Sequence, residues 1–258
     1  MKIFDIYAEY YNLLYADKNY EEEVNYIDSL IKCYLKNDLI KKGLLDIGCG
    51  TGKHANLFAK KSYCVTGIDF SEKMISEAKK LENETLKFYV KDGKSFNLDL
   101  KFDVITSLFH VVSYQNTNED IIKYFKNVFN HLNYDGIFIF DFWYGPAVLT
   151  DKPAIKVKKC ENKNIQLTRI AEPAIIYNRN LVEINYEILI QNKLDNSLFK
   201  LNEKHVMRYF FMPELEVLLN NNGMKITGSF EWMTLKEPDL NSWYVVIIAN
   251  KIKEKVNQ

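Results

Sequence analysis

Residues Leu44 to Gly52 read LLDIGCGTG, a short apolar run that ends in glycines at 48, 50 and 52. Glycines at that spacing let a chain turn tightly after a strand and bring its backbone against a ligand. About twenty residues on, VTGIDFS closes a second apolar run with Asp69, a carboxylate placed to hold ribose hydroxyls. Together they demand a strand, turn, helix and second strand built around a nucleoside.

Charge narrows the choice of nucleoside. Asp46, at the mouth of the glycine turn, sits badly beside a dinucleotide pyrophosphate but suits S-adenosylmethionine, which brings an ammonium and a sulfonium. The spacing is Gly-x-Gly-x-Gly, not the dinucleotide Gly-x-Gly-x-x-Gly. Lys53 is followed by His54, without the Ser/Thr or upstream glycine of a phosphate-binding loop. The alternatives left open are a nicotinamide-dependent sugar oxidoreductase and a non-catalytic cofactor-binding partner subunit.

A chain of 258 residues with 47% hydrophobic content can bury one large α/β core with an inserted subdomain. Its 34 basic and 34 acidic residues balance, which leaves no overall field to attract nucleic acid or an anionic membrane. The four cysteines, Cys33, Cys49, Cys64 and Cys160, have no zinc-like spacing and suggest a reducing cytosol. The start, MKIFDIYAEYYN, lacks a secretory apolar core, and no run is long enough to span a bilayer. A cytoplasmic protein acting without metal is expected.

Apolar positions Tyr20, Val24, Ile27, Leu30, Ile31 and Leu35 predict amphipathic helix within residues 3–37, beside the cofactor mouth. Strands at 44–47, 64–68, 86–90, 103–108 and 136–142 then alternate with helices at 52–60, 72–81 and 119–132, with Ser71 as an N-cap. This rhythm predicts a parallel sheet covered on both faces. Residues 150–211 break the rhythm. They read as an antiparallel β insertion with a hairpin turn at Leu194–Ser197. A helix over 213–222, stopped by Gly223, and strands at 224–231 and 242–249 return to the main sheet.

DIGCGTG, GIDFS, KDGKSF and FDVITSLFHVVSYQ together resemble the class I S-adenosylmethionine-dependent methyltransferases. The resemblance implies a Rossmann-like, doubly wound seven-stranded sheet with an antiparallel last strand, plus the β-rich antiparallel insertion. It divides the chain into an N-terminal helical lid (1–37), a cofactor-binding domain (38–149 and 212–250) and an insertion (150–211) that caps the substrate or forms a dimer interface. More narrowly, YAEYYNLLYADKNY, FHVVSYQ, DFWYGP and HVMRYFFMPELEVLL resemble bacterial sugar and sugar-nucleotide methyltransferases. That likeness implies a small nucleotide-linked sugar as acceptor, with a place in surface-polysaccharide biosynthesis.

The same resemblance places Asp46, Gly48 and Gly50 at the methionine end of the cofactor, Asp69 on the ribose and Asp92 on the adenine amino group. Cys49, Phe70, Met74, Gly93 and Leu108 complete the expected cofactor lining, although related enzymes often carry a bulky residue where this chain has Gly93. Tyr11 and Tyr15 match lid-helix tyrosines that border the sulfonium or the acceptor, or else pack.

Methyl transfer from a sulfonium is an in-line displacement, so the protein mainly aligns the acceptor and excludes water. An amine needs little further help, whereas a hydroxyl usually needs a general base. His110, after the fourth strand, is the candidate base, the alternative being a histidine that packs at a strand end. Related amino-sugar N-methyltransferases often carry a small hydroxyl residue there, and the departure points toward O-methylation. Tyr114, Trp143, His205 and Arg208 are the substrate candidates, Arg208 for a phosphate. Gln115 extends the loop of Tyr114, and Tyr144 follows Trp143. The apolar face Val182, Ile184, Tyr186, Ile188 and Ile190 suggests a homodimer contact.

Overall fold

The computed structural model describes residues 13–36 and 42–252, so Tyr11 lies outside the described residues. The chain divides into two compact units, one of residues 19–150 and 209–258 and a smaller one of residues 1–18 and 151–208.

In the larger unit, strands β1 (Gly43–Ile47), β2 (Cys64–Asp69), β3 (Leu86–Val90), β4 (Phe102–Ser107) and β5 (Leu132–Tyr144) pair in parallel in the order β3-β2-β1-β4-β5. Two strands from much later in the chain, labelled here in their chain order as β10 (Met224–Glu231) and β11 (Tyr244–Lys251), extend this sheet. β11 lies antiparallel beside β5, and β10 pairs antiparallel with β11. The result is the seven-stranded, doubly wound sheet expected, with β11 as its one reversed strand. Strand order changes direction between β1 and β4, which places the carboxyl ends of these two strands at the crevice where such sheets bind ligands.

Alternation along the strands explains the two covered faces. Leu45, Ile47, Ile105, Phe138, Phe140, Phe142, Val245 and Ile247 point to one side and meet helix α4 (Asn118–His131) and helix α6 (Met212–Asn221) through Ile121, Tyr124, Phe125, Leu215 and Leu219. Their neighbours Leu44, Val104, Ile137, Ile139, Val246 and Ile248 point to the other. There they meet α1 (Tyr20–Tyr34), α2 (Lys53–Lys60) and α3 (Glu72–Ala78). Each large side chain so buried contributes about 1.5–3 kcal/mol. The α3 cap is as expected, with Ser71 Oγ accepting from the Met74 N–H. A short helix, α5 (Gly145–Thr150), follows β5.

The smaller unit is an antiparallel sheet of β6 (Lys156–Glu161), β7 (Ile165–Ile176), β8 (Leu181–Asn192) and β9 (Leu198–Phe210). The turn between β8 and β9 is tied by Asp195 Oδ1, which accepts from the Ser197 N–H and hydroxyl, as the LDNS sequence suggests. Residues Leu13, Leu14 and Tyr15 pack on Ile165, Leu167, Ile188 and Ile190. This corrects one expectation: part of the face offered to a second subunit is already covered by the chain's own residues. Val182 and Ile184 are buried as well. No helix of the described residues is long and apolar enough to cross a membrane.

Candidate functional site

β1 delivers Asp46 into the crevice, in register with Gly67 of β2 and Thr106 of β4. Thr106 Oγ1 donates to Asp46 Oδ1 at 2.9 Å, while the buried Oδ2 has no hydrogen-bond partner among the described residues. Burial pushes this carboxyl up to about 6, against the opposing influence of His54 and of the Thr106 hydrogen bond. An orphaned carboxylate oxygen is what a cation would satisfy.

The glycine turn is held to the end of β2, where Ile68 O accepts from the N–H groups of Gly48 and Cys49. Gly48 has φ +75°, and a Cβ there would lie 2.5 Å from Val111 Cγ2. The turn therefore abuts the segment that carries His110, and only glycine permits that approach. At Gly50, by contrast, a Cβ would meet nothing within 4 Å. Its N–H donates to Asp69 Oδ2 at 3.0 Å, and Asp69 Oδ1 accepts from the Ser71 N–H at 2.8 Å. Burial raises the Asp69 carboxyl, and these two bonds oppose the rise. Phe70, beside it, is 81% exposed.

Asp69 pairs with Val90, so Asp92 stands just past the adjacent strand end. It is exposed, and its Oδ1 accepts from the Lys94 N–H. Gly93 packs against α4, where a Cβ would come 2.6 Å from the Tyr124 ring. That explains why no bulky residue stands there. Cys49 is buried, with its thiol pushed well up chiefly by burial, and Leu108 lies in the core. Met74 is half-buried in the first turn of α3. Lys53 lies over the Tyr20 ring at 4.8 Å with its ammonium lowered by burial. His54 pairs with Glu23 at 2.7 Å.

After β4 the chain makes an unusual turn, because Phe109 and His110 both adopt left-handed backbone angles, φ +67° and +63°. Such residues cost of order 1–3 kcal/mol each and persist where surroundings hold them. The holder here is Asp141, a fully buried carboxylate in the middle of β5. It accepts the His110 backbone N–H on both oxygens at 3.2 Å, and its Oδ2 lies 2.5 Å from His110 Nδ1. The imidazole stacks on Tyr244 at 4.4 Å and 17°, and Trp143 approaches its edge at 6.4 Å. Trp143 in turn meets Trp243. Its indole Nε1 is buried without a hydrogen-bond partner among the described residues. Tyr114, on the helical turn that follows His110, is exposed, and Gln115 is buried.

Thus Asp46, Gly48, Gly50, Asp69, His110, Tyr114 and Trp143 gather at the carboxyl edge of one sheet. Asp141 and Tyr244 escaped sequence reasoning. A carboxylate inside the apolar run IFIFDFW was the signal for Asp141. Tyr15, His205 and Arg208 belong to the smaller unit. There Tyr15 lies 3.4 Å from Arg169 Nη1, and the Arg169 guanidinium sits over Tyr186. His205 meets the Tyr186 ring edge-on and approaches Glu203, and Arg208 is buried opposite Leu181.

This arrangement fits S-adenosylmethionine. Asp46 would answer its positive charge, the open side of Gly50 would leave room for the methionine end, and Asp69 and Asp92 would offer acceptors to ribose and adenine. When bound, the group supplies an activated methyl.

Comparison with known proteins agrees. Residues 44–136 match the family model described as a methyltransferase domain. The dTDP-3-amino-3,4,6-trideoxy-alpha-D-glucopyranose N,N-dimethyltransferase of Streptomyces venezuelae is 25% identical over 224 residues, 85% of this chain and 90% of that one. The malonyl-[acyl-carrier protein] O-methyltransferase of Bacillus anthracis is 32% identical over 170 residues, 64% of this chain and 60% of its own. An S-adenosylmethionine-dependent methyltransferase from Clostridium acetobutylicum superposes with a TM-score of 0.80 at 21% identity, over 98% of this chain and 100% of that one. The chain has the class I fold and is an S-adenosylmethionine-dependent methyltransferase.

Proposed function

We propose that the enzyme methylates a hydroxyl or amino group of a sugar nucleotide, in the cytoplasm, as a step toward a surface polysaccharide. The observation that carries the reading is the junction of two features, the glycine turn of Gly48 against Val111 and, next along the chain, His110 among Tyr244 and Trp143. Aromatic faces beside a polar group suit the apolar face and hydroxyl edge of a sugar ring. The relative from Streptomyces venezuelae, which by its name acts on a nucleotide-linked amino sugar, supports the same class of acceptor.

In this reading Asp46, Gly48, Cys49 and Gly50 hold the methionine end and Asp69 holds the ribose. Asp92 and Gly93 meet the adenine, and Phe70, Met74 and Leu108 complete the cofactor lining. His110 takes the acceptor's proton, and Tyr114 and Trp143 orient the acceptor. The chain works as a homodimer.

Two measurements test this. A panel of sugar nucleotides incubated with enzyme and S-adenosylmethionine should yield one product with a methyl increment in mass spectrometry. No increment on any sugar nucleotide removes the assignment. Light scattering should give twice the chain mass, and a species at monomer mass removes the dimer.

A further inference from the structure

Asp141 lies where no charge belongs by packing alone. Phe140 and Phe142 flank it in sequence, it is paired across to Val246 of β11, and its carboxylate is fully buried. An ionised group buried so deeply persists when its oxygens are satisfied. The His110 backbone N–H donates to both of its oxygens, and the His110 ring lies against it, with Nδ1 2.5 Å from Oδ2 but outside hydrogen-bond geometry. One carboxylate therefore fixes both the left-handed backbone and the orientation of the imidazole.

We infer that Asp141 is a positioning residue, which keeps the His110 proton on Nδ1 so that Nε2 presents a lone pair to an acceptor hydroxyl. The inference rests on the reading of His110 as the base and on a sugar-nucleotide acceptor. A carboxylate beside one ring nitrogen favours the tautomer that carries its proton there, and the other nitrogen is then the basic one. The ring plane is set by stacking on Tyr244, and the side chain keeps 15% exposure, so it is not sealed in the core. The step balances. The acceptor oxygen forms its bond to the methyl carbon as the sulfur–carbon bond breaks, with that electron pair remaining on sulfur in S-adenosylhomocysteine. The hydroxyl proton passes to Nε2 and leaves to solvent after product departs, while Asp141 stays ionised and stabilises the imidazolium. An amine acceptor, which loses its proton near neutrality, gains little from such a pair. The dyad therefore marks an oxygen acceptor.

The test begins on the unaltered, ¹⁵N-labelled chain saturated with S-adenosylhomocysteine at pH 8, using long-range proton–nitrogen correlations of the histidine rings. His110 is identified by the signals missing in His110→Gln. A protonated Nδ1 and bare Nε2 are expected, and the reverse pattern overturns the inference. Asp141→Asn keeps the shape and removes the charge. It should lower kcat on the hydroxyl acceptor by about 10²- to 10⁴-fold, with S-adenosylhomocysteine affinity unchanged and the ring proton moved to Nε2. Full kcat in this variant overturns the role, as does methylation at nitrogen in the unaltered enzyme. If no sugar nucleotide is methylated, the acceptor assignment fails while the ring correlations still decide what Asp141 does.

Discussion

Asp46 is a buried carboxyl pushed up to about 6 by desolvation, and the sign of that shift makes two separable predictions. In the unfolded chain it titrates near 3.8. The native state thus holds the extra proton between those values, and the stability this contributes is complete below the lower pH and lost as pH rises through about 6. Asp46→Asn should stabilise the cofactor-free protein at pH 8 by about 1–3 kcal/mol, read from urea midpoints. The cationic cofactor selects the ionised form, so its affinity should rise about tenfold from pH 5 to pH 7. Calorimetry across that range checks this, and the variant should bind weakly with a flat profile. A parallel rise in the variant would transfer the effect to another group. At Gly93 the neighbour is Tyr124, whose hydroxyl also bonds Ser107 at 2.8 Å. Gly93→Leu should therefore cost about 1–3 kcal/mol by overpacking, seen as a lower melting temperature.

At the scale of elements, α4 carries Tyr124 to this place, and its start is set by Thr117, whose Oγ1 accepts from the Asp120 N–H at 3.1 Å. Glu119 and Asp120 add favourable charge in the first turn. Thr117→Ala should cost about 1 kcal/mol and leave cofactor affinity intact, which denaturant titration and calorimetry together check. Elements of this kind were legible before the fold was known, because periodicity and caps are local. Strand 86–90 and the helix near 119–132 match their sequence patterns within a residue or so. The pairing of Asp141 with the His110 turn was hidden for a non-local reason. It depends on β4 and β5 lying side by side with Ser107 opposite Phe140, and on two consecutive left-handed residues that no sequence rule assigns to Phe-His. Tyr244 was hidden likewise, since only the β5–β11 register sets it opposite Trp143. The packing of residues 13–15 on β7 and β8 spans some 150 positions of sequence, beyond the reach of any windowed pattern.

For the whole molecule, cofactor choice is the property that can be read without knowing the acceptor. Ligand at 100 times its dissociation constant adds about 2.7 kcal/mol to the native state. S-adenosylmethionine should raise the melting temperature by several degrees while NAD leaves it in place, and the opposite ranking would overturn the electrostatic account of the glycine turn. One property of the sheet reaches further. β11, inserted between β5 and β10, is the last strand of the described chain, yet it brings the tyrosine on which the His110 ring rests. Loss of that strand would strip the floor from under the imidazole along with the flank of β5, whereas the glycine turn itself is tied to the end of β2.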